Sequence, residues 1–471
     1  MNFIIFLFKI FIFKILFKLY SSEEPLQRRY ISIPFNIKVS SPNKISNSQS
    51  FIDNYYSKNI ILEFSIGKNS QIVNGILDQE NSCFEFIDKN LITNLDNINI
   101  YSPKKSESFD IRKEKIYHTY EDDEIMAIGS DIFNFNKDDK YNISFLFLKT
   151  INENEINYEE IKNKQYISKI GLKLLNQESH FDGICPQFFQ NSKKIANLSK
   201  YIISFEFNDV NKGNFIFGDE LFNYNEQKYY ESQYIGTYSS TNHQIYFNQV
   251  HLIDKNKNKI NITEGTYATF NYNNGVIIGT SIFQKKINET FFDLLIKDNI
   301  CKNNIVQYNN IQYNVYSCEE KNFKDKLNSF PKIFFVSKSF EYNFELNYSD
   351  LFINLGSIYY FLIIFQINES KNGWIFGQPF FKKFNFTINL DENWVGFYNP
   401  DKPIIKKEDN NKNNPRNNKT RKIIIIISLV LFVIGLALGM FFLGKKMKND
   451  RKKRANELMD DNYDYSVGIN S

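Results

Sequence analysis

The sequence predicts an all-β protein of two similar lobes around a central cleft, plus a single C-terminal transmembrane helix. Three observations carry this reading. Apolar runs of four to eight residues, rich in β-branched and aromatic side chains, recur through residues 56–398. They are broken by Asn, Gly, Asp and Ser, the punctuation of strands rather than of long helices. The pattern also repeats. "IGKNSQIVNGILDQENS" lies near the start of residues 56–225, and "FNYNNGVIIGTSIF" near the start of residues 226–398. Each is an apolar run that stops at a tight turn followed by Ser, and each has a later apolar partner, "HFDGICP" or "GWIFGQPF". The third observation is "IIIIISLVLFVIGLALGMFFLG", residues 423–444, which carries no charge. At about 1.5 Å per residue such a run spans roughly 33 Å, the core of a bilayer.

Taken in chain order, residues 1–22 are apolar but interrupted by Lys9, Lys14 and Lys18. They read as a secretory signal peptide cleaved near Ser22, in preference to an amphipathic helix on a membrane surface. The best strand candidates are "IILEFSIG", "YNISFLFL", "YIISFEF", "NFIFGD", "HQIYFNQVHLI", "KIFFVS", "YYFLIIFQI", "FNFTINL" and "WVGFY". Helical patterns are few, and the clearest are "EEIKNKQYISKIGLKLL" and "INETFFDLLIKDNI". Residues 399–422 form a polar stalk before the membrane. The tail, residues 445–471, opens on "KKMKNDRKKR". Positive residues favour the cytoplasmic side, which makes this a single-pass type I membrane protein of the secretory system or cell surface.

Composition excludes some functions. The formal charge is +4, but the basic residues sit at the two ends and residues 23–420 are slightly acidic. With no basic stripe, nucleic-acid binding is not expected. The 47 Phe and 29 Tyr, with abundant Asn and Lys, read as a coding bias rather than a functional signal. Four cysteines in a lumenal segment permit disulfides. Cys301 and Cys318 bound a small cystine loop; Cys83 and Cys185 are left either paired or free. No CxxC occurs and the histidines, 118, 180, 243 and 251, are scattered, so no metal site and no cofactor are expected. Glycosylation sequons start at Asn142, Asn197, Asn261, Asn288, Asn347, Asn368, Asn385 and Asn418. No feature specifies an oligomeric state.

Laid in order, these segments resemble the pepsin-like aspartic proteases over about residues 56–398. "IGKNSQIVNGILDQENSCFEF" is similar to the family's first active-site strand, which places Asp78 on its first catalytic aspartate. "HTYEDDEIMAIGSD" resembles the flap hairpin, with Tyr120 on its tyrosine, and "HFDGICPQFF" the strand that completes the first active-site loop. "KGNFIFGDE" resembles the strand near the lobe boundary, and "GWIFGQPFFKKFNFTINLDENWVGFY" the closing region of the second lobe. "YISIPFNIKVSS" resembles a pro-segment, giving residues 23–55 that expectation.

The departures fall on the chemistry. The family's mechanism needs two carboxylates that share one proton across a water, flanked by glycine and a hydroxyl. Here Gln79 and Glu80 follow Asp78 where the resemblance calls for threonine and glycine. In the second half Ile277 stands on the second aspartate and Ile278 on the threonine, while Gly279, Thr280 and Ser281 keep the turn. Pro186 replaces a glycine in the first half; Gly377 is kept in the second. No aspartate occurs within residues 268–290, so no small shift of register restores the pair.

The expectation is therefore a membrane-anchored pepsin-family homologue without proteolysis, binding a peptide or protein in the cleft. Tyr120, Gly279 and Thr280 would line that cleft, and Glu121, Asp122, Asp123 and Glu124 would favour basic partners. Two alternatives are an active membrane-bound aspartic endopeptidase with an altered site and a structural surface protein.

Overall fold

The computed structural model describes residues 30–39, 45–79, 84–87, 101–118, 123–134, 140–150, 168–171, 198, 200–209, 211–225, 228–229, 233–237, 243–367, 373–398, 442 and 444–454. The chain divides into a unit ending at Pro403 and a second from Ile404. Among the described residues, the first unit is built on two large sheets, one of thirteen strands and one of eleven. The protein is all-β in class, as the strand-length runs predict.

Strand Ile31–Val39 shows why these residues form strands. Ile31, Ile33, Phe35 and Ile37 are buried and alternate with residues that are not. That period of two lays four apolar side chains on one face. Ile31–Val39 pairs antiparallel with Lys212–Phe217 on one side and with Lys58–Ile66 on the other. The segment that resembles a pro-segment is thus an interior strand of the thirteen-stranded sheet. Its neighbour but one, Ile202–Asp209, has six consecutive buried residues, so both of its faces are covered.

The chain then crosses to the other sheet. Helix Ser48–Tyr55 starts at Asn47, whose side chain accepts from Ser50 N in a capping box. Phe51 stacks on Tyr360 with ring centroids 4.4 Å apart, and Tyr56 packs on Tyr308 and Tyr313. Residues 31–39 and 45–56 therefore hold on to both sheets.

Each half places its candidate strand the same way. Gln71–Asp78 pairs antiparallel with Lys58–Ile66 and parallel with Ser168–Gly171. Ile277–Gly279 pairs parallel with Ile363–Gln366 and meets Ile375 through Ile278. Ser168–Gly171 lies inside a stretch whose spacing reads as a helix. It is a strand because its residues are buried between Gln71–Asp78 and Phe84–Ile87, a tertiary demand that overrides local propensity. The second helical expectation agrees with helical turns over Asn288–Phe292 and Asp293–Lys297.

Cys301 and Cys318 form a disulfide at the base of the hairpin Cys301–Tyr308 and Ile311–Glu319. The hairpin turns on Asn309 and Asn310, both at positive φ (47° and 62°). Asparagine tolerates that region, which two-residue hairpin turns require. The aromatic excess also has a place: Phe64, Phe84, Phe86, Phe133 and Phe145 pack together in one region, mostly edge to face, and in another Phe335 meets Trp374 and Phe376 edge to face while Phe376 stacks on Phe380.

In the second unit, residues 444–454 are helical and exposed. Among the described residues no helix is long and apolar enough to cross a membrane. The apolar run expected to do so, residues 423–444, lies almost entirely outside them, as do the expected signal peptide and stalk.

Because Ile31–Val39 fills the sheet, Phe35→Ala is expected to cost about 3–5 kcal/mol in chemical denaturation, the usual range for emptying a buried phenylalanine site. Deleting residues 31–39 is expected to abolish cooperative unfolding. A deletion that unfolds as sharply as the whole chain would contradict the interior position of this strand.

Candidate functional site

Asp78 closes its strand, half-buried, with its backbone opposite Gly171. The next side chain leaves the sheet altogether. Gln79 Nε2 donates to Phe270 O at 2.7 Å, and Gln79 Oε1 accepts from Tyr272 N at 3.4 Å. One residue earlier, Leu77 O accepts from Asn273 Nδ2 at 2.8 Å. Asn273 Oδ1 in turn accepts from Ile60 N at 3.0 Å, and Asn273 O from Lys58 N at 2.7 Å. The end of the first candidate strand is thus bonded to residues 270–273, just ahead of the second.

A third carboxamide closes the set. Gln378 Nε2 donates to Lys58 O and to Tyr272 O, and Gln378 N donates to Asn274 O at 2.7 Å. The residue before it, Gly377, is required by contact. A Cβ there would lie 2.1 Å from Val276 O and 2.5 Å from Asn274 O. Gly275 makes room likewise: its Cβ would lie 2.5 Å from Tyr55 O and 2.7 Å from Lys58 Cδ.

Ile277 is fully buried, and its N–H donates to Leu362 O at 2.8 Å. An isoleucine has no proton to give or take, and an unpaired carboxylate in its place would carry a heavy desolvation cost. Thr280 is buried too. Its hydroxyl accepts from Phe283 N at 3.2 Å and caps helix Ser281–Ile287. Gly279 is buried as well, and a Cβ on it would lie 2.8 Å from Phe365 Cε1. With Tyr56, Tyr267, Ser281, Tyr313 and Trp374 it lines a cavity of about 640 Å³ whose lining holds no charged residue.

Lys58 lies beside the same loop. Its amine sits 3.8 Å from the centroid of the Tyr55 ring. Burial pushes it down from the usual 10.5 to about 7, and the charge of Lys382 pushes the same way. Lys382 is itself lowered to about 8 by burial, against the pull of Asp209.

Several expected residues fall outside the described ones: Glu80, Cys83, Tyr120, Glu121, Asp122, Cys185 and Pro186, with "HFDGICP". The hairpin expected around Tyr120 is present on either side of it, since Asp110–His118 pairs with Asp123–Asn134 from His118 opposite Asp123. Among the described residues no group of three His, Cys, Asp or Glu is placed to hold a metal ion. Sequence reasoning missed Gln79, Asn273 and Gln378 as ties and Lys58 as a buried amine. The run "NYNNG" before the apolar "VIIG" was the available signal, since a polar loop leading into a buried strand must bond its amides somewhere. No family model and no curated protein matches the sequence.

Two outcomes are expected. Gln79→Ala strands Phe270 O without a partner and should cost about 1–3 kcal/mol in denaturant unfolding. For Lys58, the folded pKa lies below the unfolded one, so the unfolded chain binds the extra proton between pH 7 and 10.5. Stability should therefore rise with pH across that window and sit lowest below it. Lys58→Met should raise the melting temperature at pH 7 and flatten the rise between pH 7 and 10. An unchanged slope would show that this amine is not the group responsible.

Proposed function

We propose that this chain is a pepsin-like, bilobal homologue that has lost proteolysis and binds a peptide or protein in its cleft. It would be delivered by a signal peptide, residues 1–22, and held by one helix, residues 423–444, with the ectodomain lumenal or extracellular. The observation that carries the loss is Ile277, fully buried where the second half would need a carboxylate. General acid–base catalysis alone contributes about 10²–10⁴-fold, and a shared-proton dyad needs both partners.

The bilobal reading is supported by the repeated pairing. Both candidate strands take a parallel partner from later in their own half, Asp78 opposite Gly171 and Ile277 opposite Ile363. The second half also keeps the turn residues Gly279, Thr280 and Ser281 in sequence. The binding reading is supported by the aromatic, uncharged cavity at Gly279, which suits apolar groups of a ligand. The acids at 121–124 would add attraction for a basic partner. The exposed helix at residues 444–454, with Lys445, Lys446, Lys448, Arg451, Lys452, Lys453 and Arg454, supports a cytoplasmic tail.

The test is cleavage of a diverse peptide pool by the purified full chain, from about pH 3 to 7, where carboxyl groups titrate. No cleavage is expected, and Asp78→Asn should leave the products unchanged. Cleavage that disappears in Asp78→Asn would overturn the loss of activity.

A further inference from the structure

We propose that Asn142 and Asn261 carry N-linked oligosaccharides, and that Asn288 and Asn385 stay bare although each also opens a sequon. The assignment rests on the lumenal placement of the ectodomain proposed above. The chemistry is a group transfer from a lipid-linked oligosaccharyl diphosphate. The asparagine Nδ2 forms a bond to the anomeric carbon, the bond from that carbon to the diphosphate oxygen breaks, the amide loses one proton, and the lipid diphosphate leaves. The product keeps Oδ1 as an acceptor but turns Nδ2 into the root of a bulky, hydrated chain. Transfer precedes folding, so the folded geometry decides which modified chains can reach the native state.

Asn142 is exposed on strand Lys140–Thr150, where the next residue, Ile143, and Phe145 point into the core. With a period of two, Asn142 stands on the opposite, solvent face. Asn261 is exposed on strand Lys259–Phe270. Its Oδ1 accepts from Gln249 Nε2 at 3.0 Å, and among the described residues its Nδ2 has no partner. A sugar at either position replaces only water.

Asn385 is the reverse case. Its Oδ1 accepts from Phe207 N at 2.8 Å and its Nδ2 faces Tyr229 Oη at 3.4 Å. The third residue of its sequon, Thr387, is fully buried with its hydroxyl 2.7 Å from Ser204 Oγ. A sugar at Asn385 would have to part strand Phe386–Asn389 from Ile202–Asp209, to which it is paired. Asn288 is turned inward as well. The residue is half-buried and its Oδ1 is enclosed, so a sugar on this side chain would have to displace what surrounds it.

The experiment is site mapping on the full chain made in a eukaryotic secretory cell line. Glycans are released enzymatically in heavy-oxygen water, which converts each occupied asparagine to a labelled aspartate read by peptide mass spectrometry. Protease protection in sealed microsomes reports topology separately. Labelled residues are expected at 142 and 261 and none at 288 and 385, and the double variant Asn142→Gln with Asn261→Gln should migrate faster by two glycans. A protected chain that is bare at both 142 and 261, or labelled at 385 or 288, overturns the assignment alone. A chain digested from outside the vesicles and bare at every sequon overturns the lumenal placement, and the assignment with it.

Discussion

The carboxamide of Gln79 is the tie on which the candidate site depends. It fastens the strand that ends on Asp78 to Phe270 O and Tyr272 N, on the chain leading into the strand that holds Ile277. Asn273 and Gln378 repeat the device with Leu77 O and with Lys58 O and Tyr272 O. Three neutral amides thus satisfy backbone groups that would otherwise be stranded between the sheets. Each such bond adds only about 1 kcal/mol net, but an unmade one costs more, so the set acts as a constraint on geometry. Being uncharged, these ties hold at any pH.

Much follows from that arrangement. A side chain as short as threonine at position 79 would not span to residues 270 and 272, whereas glutamine reaches both. The turn after Asp78 is a clasp. Around it, Gly275 and Gly377 let backbones approach where a Cβ would collide, and Lys58 fills the space that Gly275 leaves. The interior strand Ile31–Val39 and the helix Ser48–Tyr55 lead directly into Lys58, so the amino-terminal segment belongs to the same construction.

Local features were the legible part of the sequence. Strand-length apolar runs gave the all-β class, and Cys301 with Cys318 bounded the cystine loop that the structure shows as a hairpin. Features decided by distant partners were not legible. Residues 168–171 look helical and form a strand, because burial between two others outweighs spacing. The interior place of Ile31–Val39 depends on Lys212–Phe217, far along the chain. That Thr280 caps helix Ser281–Ile287 was not legible either, since the turn was read for its place in a cleft and not as a helix start. The isoleucine at 277 was plain in the sequence; that its side chain is wholly enclosed required the structure.

In the strand Ile277–Gly279 the second half offers a buried isoleucine, not a carboxylate, to share a proton with Asp78. The most direct measurement compares the dissociation constants of two peptides that differ in one group, a hydroxyl that mimics the tetrahedral intermediate and its deoxy counterpart. A working dyad binds the mimic at least about 10²-fold tighter, because that hydroxyl sits between two carboxyls that share a proton. The account predicts equal affinities for the two peptides. A preference of 10²-fold or more for the hydroxyl form would contradict it.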